Sequence, residues 1–301
     1  MSRHSIPSIR HRFIEAGGVR VFYRESVPTG APADFPTILL LHGFPSSSHQ
    51  YRRLMDALGS DYRLIAPDYP GFGHSDAPTS TNEGGSFVYS FDKLADVMEA
   101  FVDALALKRF VLYAFDFGAP VGFRLASRKP ERIAGLIVQN GNAYLEGLSD
   151  IARDFIALKS EDQGAEEQVR QLLTLEMTRA QYVGGTKDPD LVAPDGWTMD
   201  QHFLDRPDRR QPQIDLAFDY KSNLARYGEW QEWLRRERPP TLITWGRNDP
   251  FFTEKGARAF LTDLPEAELH LFDTGHFALE ENLPEIAPLI ADFVDRIWAK
   301  A

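Results

Sequence analysis

Three ionisable side chains and one short loop have the types and the order that nucleophilic chemistry needs. Asp116 sits in "FVLYAFDFGAPVGFRLA" (110–126), where a buried-strand pattern meets a helical one through a turn flanked by small residues. Asp249 lies in "WGRNDPFF", His276 in "DTGHFALEEN", and "HGFP" (His42 to Pro45) closes a short apolar run. Each has a plain structural use on its own. Asp is among the best helix N-caps, Asp-Pro opens turns, and a histidine near the C-terminus can pack in a core. Yet all four fall just past the carboxyl ends of strand-like segments, where functional groups collect in open α/β sheets. Asp116 is therefore either a cap or a nucleophile, and the rest of the chain must decide.

The elements that would position these groups can be read from periodicity. "HRFIEAGGVRVFYRES" (11–26) alternates apolar and polar residues about Gly17-Gly18, the pattern of a hairpin. "PTILLLHGFP" (36–45) is a continuous apolar run, as a strand buried on both faces requires. Tyr51, Leu54, Met55 and Leu58 then recur at helical spacing, and "YRLIAPDYPGFG" (62–73) is a strand running into a Gly-rich loop. "SFDKLADVMEAFVDALAL" (90–107) is an amphipathic helix, followed by the strand and turn at Asp116, the helix "APVGFRLASRKP" and the strand "IAGLIVQNG" (133–141). Such alternation predicts a mostly parallel sheet with helices on both faces. It breaks over residues 142–237, which read as helical with Pro and Gly interruptions. It resumes with the strand "TLITWG" (241–246), a helix near 253–264, the strand "AELHLF" (267–272) and the helix "LPEIAPLIADFVDRIWA". The expected organisation is an α/β core formed by 1–141 and 238–301, with a helical cap at 142–237 inserted after the sixth strand.

Composition removes several function classes. With 43% hydrophobic and 26% charged residues the chain is globular rather than disordered or membrane-spanning. A net charge of −11 without a long basic run argues against nucleic acid, which is held by a basic face. There is no cysteine, so disulfides, thiol nucleophiles and Cys metal sites are excluded. "MSRHSIPSIRHRFIEAGG" has no apolar signal-type core and no stretch is long enough to span a bilayer, so no membrane partner is expected and a cytoplasmic location is the default. His4, His11, His49, His74, His202 and His270 have no metal-ligand spacing and read as structural or solvated.

The order nucleophile, acid, histidine, with "Ala-Phe-Asp-Phe-Gly" (114–118) as the small-x-nucleophile-x-small elbow, resembles the α/β-hydrolase fold. Together with "HGFP", "GRNDPF" and "GHF", an elbow Asp resembles the branch that holds epoxide hydrolases and haloalkane dehalogenases, over the whole chain. The resemblance implies a catalytic Asp116, Asp249 and His276. Asn140 follows the preceding strand, where some relatives carry the acid, and being an amide it leaves that role to Asp249. A carboxylate is already ionised at neutral pH, and the helix N-terminus and nearby N–H groups are expected to keep it so. It can attack a saturated carbon and form an ester, which water activated by His276 then hydrolyses. The backbone N–H groups of Phe44 and Phe117 would form the oxyanion hole, and His42 would shape its loop. No cofactor or metal is implied. The expected partners are a small hydrophobic substrate and water, with the protein a monomer or homodimer.

The leaving group divides the branch. Dehalogenases hold the halide with a Trp after the nucleophile and often an Asn after His-Gly, and here those positions are Phe117 and Phe44. Haloacetate dehalogenases bind the substrate carboxylate with Arg soon after the nucleophile, which "Asp-Phe-Gly-Ala-Pro" lacks. Epoxide hydrolases place lid tyrosines to protonate the opening ring. "FDYKSN" (218–223) resembles that motif and nominates Tyr220. The other lid tyrosine corresponds to 155–164, which contains no Tyr, so Tyr182 and then Tyr144 are the substitutes. Halide release through Trp197, Trp230 or Trp233, or ligand binding without catalysis, are the alternatives to epoxide hydrolysis.

Overall fold

The computed structural model describes residues 6–28, 30 and 35–299; His4 lies outside the described residues. Eight strands form one sheet in the order β1-β2-β4-β3-β5-β6-β7-β8. β1 (Ile9–Ala16) and β2 (Val19–Ser26) are the hairpin read about Gly17-Gly18, in register from Ile9↔Ser26 to Ala16↔Val19. β2 pairs antiparallel with β4 (Arg63–Pro67). From there β3 (Thr37–Leu41), β5 (Phe110–Phe115), β6 (Ile133–Gln139), β7 (Thr241–Gly246) and β8 (Glu268–Phe272) add in parallel.

The apolar runs of the central strands are explained by a core on each face. In β3, Leu39 and Leu41 join one core while Ile38 and Leu40 join the other. In β5, Leu112 and Ala114 divide from Val111 and Tyr113 in the same way. Alternation with period two sends every second side chain to the opposite face, so a strand covered on both faces must be apolar throughout. The first face is covered by α2 (Phe91–Ala104) and α3 (Gly118–Arg128), and the second by α1 (Arg52–Leu58) and a long C-terminal helix.

Between β6 and β7 the described chain is helical: α4 (Asp150–Ile156), α5 (Ala165–Gln171), α6 (Leu175–Val183), α7 (Asp195–Leu204), α8 (Pro207–Asp219), α9 (Lys221–Leu224) and α10 (Tyr227–Glu237). α11 (Glu254–Asp263) links β7 to β8, and α12 (Ala278–Ala299) ends the described chain. The periodic pattern had started that last helix at Leu283. It begins five residues earlier and breaks at Asn282, whose φ of −105° and ψ of 19° are not helical. The break hides the first turns from a reading based on period. No helix among the described residues is long and apolar enough to cross a membrane.

The parallel strands all point their carboxyl ends the same way, and the loops after β3, β5, β7 and β8 therefore meet. The β5–α3 corner is the tightest of these approaches. A Cβ on Gly118 would stand 2.1 Å from the Leu41 carbonyl oxygen, a backbone atom that cannot step aside. We expect Gly118→Ala to cost about 2–3 kcal/mol, the range of an overpacked core. Urea unfolding of the variant against the parent measures it.

Candidate active site

Asp116 occupies the corner itself, with φ of +46°. A left-handed non-glycine residue costs on the order of 1–3 kcal/mol and persists only where its surroundings impose it. Here they do. Gly43 passes so close that its Cβ would fall 2.3 Å from the Asp116 Cβ. The Phe44 N–H donates to Asp116 Oδ1 at 2.6 Å, and the Phe117 N–H also hydrogen-bonds the carboxylate. Both groups read as oxyanion donors thus converge on this one side chain. Asp116 does not cap α3 with its side chain; the residue at the N-cap is Phe117.

His276 stands on the far side of the carboxylate, its Nε2 3.7 Å from Asp116 Oδ2. Its Nδ1 lies 2.6 Å from Asp249 Oδ2, which sets the ring and gives that nitrogen the proton. Asp249 is held in turn: its Oδ1 accepts from the N–H groups of Phe251 and Phe252 at 2.7 and 3.1 Å, and its Oδ2 from Asn140 Nδ2 at 2.8 Å. Asn140 also exchanges hydrogen bonds with the Gly246 backbone, and its own carbonyl accepts from the Asp116 N–H at 3.3 Å. One residue at the end of β6 thus braces both acids.

His42 is engaged at both ring nitrogens. The Tyr69 N–H donates to Nε2 at 3.1 Å, so Nδ1 carries the hydrogen and donates to the Gly43 carbonyl at 3.1 Å. Burial lowers its pKa to about 4, so it is a neutral strut for the loop that carries Phe44.

Burial also acts on the acids. It pushes Asp116 up to about 6, against the opposing pull of His276 and of the Phe117 and Phe44 N–H groups. The N–H groups do pull toward the charged form as expected, but desolvation outweighs them. The group still ionises at neutral pH. For His276 burial favours the neutral ring, but Asp249 and Asp116 together outweigh it and raise the pKa.

Asp116 and His276 open onto a cavity of about 140 Å³. Its walls are apolar, among them Phe44, Phe117, Phe155, Leu173 and Met177. Among the described residues the polar side chains on it are Asp116, His276, Tyr220, Gln181 and Gln213. Tyr220 thus shares this cavity with Asp116 and His276. Its ring packs edge-on to Phe91 and tilted to Phe117. Burial, its hydrogen bond with Tyr227 and the charge of Asp116 push its phenol well up, so it is a neutral O–H.

Tyr182 is a correction. It does not line the cavity: its ring stacks on Phe277 at 3.9 Å and its hydroxyl donates to Asp200 Oδ2 at 2.6 Å. Tyr144 is likewise committed elsewhere, to Asp263 Oδ2 at 2.6 Å. Trp230 and Trp233 pack with Phe123 in the core and Trp197 beside Tyr182; none lines the cavity.

The two glutamines were not singled out in the sequence. A signal existed in retrospect, since Gln213, Ala217 and Tyr220 share one helical face at i, i+4 and i+7, and Met177 and Gln181 share another. Gln213 Nε2 donates to the Gly71 carbonyl at 3.1 Å, leaving its Oε1 buried without a protein partner. No cluster of three or more His, Asp or Glu among the described residues is placed to hold a metal ion.

The sheet order and the strand–turn–helix elbow define a hydrolase architecture. The chain belongs to the alpha/beta hydrolase fold family, whose model matches residues 36–283. An uncharacterized hydrolase of Saccharomyces cerevisiae is 37% identical to it, over 92% of this chain and 94% of that protein. A haloalkane dehalogenase of Psychrobacter cryohalolentis is 27% identical, over 93% and 89%. Among solved structures, a haloalkane dehalogenase of Agrobacterium tumefaciens superposes with a TM-score of 0.77 at 22% identity, covering 96% of this chain and 97% of that one. The family read from the elbow, "HGFP", "GRNDPF" and "GHF" is thereby borne out.

The raised pKa of Asp116 has a consequence for stability. The folded protein binds this proton more tightly than the unfolded chain, whose value is 3.8. Stability therefore falls as pH rises from about 4 to about 6 and stays lower above that. Asp116→Asn removes the buried charge, so it should stabilise the protein by up to about 3 kcal/mol at pH 8 and by little near pH 4. Thermal unfolding of both proteins across that range is the test.

Proposed function

We propose that the protein is an epoxide hydrolase acting through a covalent ester of Asp116, with 142–237 serving as a lid over the core formed by 1–141 and 238–301. The observation that carries this reading is the donor set of the cavity. A phenol, Tyr220, shares an apolar space with the Asp116–His276 pair, and no indole or asparagine N–H of the described residues lines it. A leaving halide needs no proton, whereas an opening epoxide generates an alkoxide that takes one, and a phenol on the cavity wall can give it.

The reaction then runs in two balanced steps. Asp116 Oδ2 attacks a ring carbon; the C–O bond breaks, and the alkoxide takes the Tyr220 proton. Gln181, from the same wall, is the side-chain amide available as a second donor. Ester formation removes the charge of Asp116, and with it one of the two influences that raise the His276 pKa. The imidazole is thus released as a base when a base is needed. It takes a proton from water, and the hydroxide adds to the carboxyl carbon of Asp116. The resulting oxyanion inherits the Phe44 and Phe117 N–H groups that held the resting carboxylate. Collapse breaks the bond between the carboxyl carbon and the alkyl oxygen, which takes the added hydroxyl's proton; the diol and the Asp116 carboxylate are freed, and the proton on His276 returns to the Tyr220 phenolate.

A dehalogenase reading draws support from the similarity to haloalkane dehalogenases. A panel of terminal and internal epoxides beside haloalkanes and p-nitrophenyl esters separates the two. Diol formation without halide release is expected; halide release alone would overturn the epoxide assignment.

With a substrate in hand, His276→Gln should still alkylate but not hydrolyse. Intact-mass analysis should then find one substrate added, mapped to the peptide that holds Asp116. Tyr220→Phe isolates the other step. Losing one donor to a developing oxyanion costs about 2.7–4 kcal/mol, and a second donor offsets part of it. Pre-steady-state alkylation should slow roughly ten- to a thousand-fold, with ester hydrolysis nearly unchanged.

A further inference from the structure

The loop that carries Phe44 is a tight turn, closed by the Ser46 N–H donating to the Gly43 carbonyl at 2.9 Å. Its closing residue does not stop at the backbone. Ser46 Oγ donates at 3.2 Å to Asp200 Oδ1, on α7, and the other oxygen of that carboxylate accepts from Tyr182 at 2.6 Å. Asp200 is 1% exposed, Ser46 1% and Tyr182 fully buried. An acid from the helical segment between β6 and β7 thus reaches into the core and takes hold of the turn on which the Phe44 N–H depends.

No cation compensates this acid directly. The charged groups that face it are Glu280 on α12 and Arg52 on α1. Those two are bound to each other by a bidentate pair at 2.8 and 3.0 Å. Arg209 of α8 lines the same small pocket as Asp200 and Ser46. A surface acid would cap a helix or meet solvent. This one is sealed between three packed elements with only hydroxyl partners, which is a costly place for a carboxyl group that does nothing.

We propose that Asp200 is a positioning residue: through Ser46 it holds the Phe44 N–H in place over Asp116, so that docking of the helical segment and assembly of the oxyanion donors are one event. The inference rests on Phe44 being an oxyanion donor, as read above. Its energetics give it a pH sense. Burial raises Asp200 to about 7; the Tyr182 and Ser46 hydroxyls and the charge of Arg52 pull the other way, and Glu280 adds to the rise. Below that pH the neutral acid fits its pocket. Above it the charge is buried with no cation bonded to it, and opening of the contact toward water is favoured. An amide at this position keeps one acceptor for Tyr182 and one donor for Ser46 and never ionises.

The test uses the full-length protein and does not depend on the substrate. Hydrogen–deuterium exchange of the peptide 43–48 is compared in wild type, Asp200→Ala, Asp200→Asn and Ser46→Ala. The alanine variants should exchange this peptide at least tenfold faster. Asp200→Asn should match wild type at pH 6 and, after correction for intrinsic rates, show no extra rise between pH 7 and 8.5 where wild type does. In single-turnover hydrolysis of the ester, Asp200→Ala should be slower by ten- to a hundred-fold, and Asp200→Ala/Ser46→Ala no slower than the worse single variant. Unchanged exchange at Phe44 in both alanine variants, or additive losses in the double variant, overturns the proposal. Should the wild type turn over no epoxide, the function assignment fails while the exchange comparison still decides on Asp200.

Discussion

A carboxylate buried at a left-handed corner and gripped by two backbone N–H groups is the arrangement to which the rest of the molecule answers. Burial makes the charge expensive, and its pKa of about 6 reports that cost. Two devices keep the group in place regardless. Gly43 and Gly118 let the β3 loop and the start of α3 close to distances no Cβ would allow. The Phe44 N–H then meets Oδ1 at 2.6 Å. A solvated carboxylate would be a poor nucleophile, stabilised in its ground state by water. Here fixed dipoles take the place of water, and in the proposed reaction the same dipoles would hold the later oxyanion.

Most of the scaffold could be read before any coordinates, because period-two and period-3.6 patterns record burial directly. β3 and β5 are apolar throughout since each faces two cores, and the hairpin about Gly17-Gly18 alternates since it does not. The meeting of Asp116, Asp249 and His276 was legible for a different reason. Loops leaving parallel strands on one edge converge, and the order of the three residues along the chain resembles that of the α/β-hydrolase fold. The helical insertion was harder. Its helices pack among themselves and on the core, and which face of each points inward depends on angles that no local pattern encodes. Tyr182 and Tyr220 have the same side chain and similar burial, yet one ends on Asp200 and the other on the cavity. Gln181, beside Tyr182 in the chain, takes the wall position that its neighbour was expected to fill.

The division of labour between core and insertion follows from their architectures. A sheet holds its loop ends to within tenths of an ångström, as the chain of contacts from Asn140 through Asp249 to His276 requires. Helices stacked across an apolar space can change side chains without disturbing that chain. The insertion accordingly contributes Tyr220, the glutamines and most of the aliphatic wall, while the core contributes Asp116, His276 and most of the phenylalanines.

Asn140 draws these threads into a matter of history rather than mechanism. Its amide and the Asp249 carboxylate face one another at 2.8 Å, at the ends of adjacent strands. An amide and a carboxylate differ little in shape, so exchanging them would move the negative charge from one strand end to the next with the surrounding backbone left as it is. The exchange takes two mutations, and the intermediates are unequal. Amides at both positions would leave His276 Nδ1 without an anionic partner, with only Asp116 facing the other nitrogen. Acids at both positions would form a like-charged pair that shares a proton, a condition buried sites sustain by raising one pKa. The route through the doubly acidic form is therefore the one that keeps an anion against Nδ1 throughout, and Asn140 with Asp249 is one of its two ends.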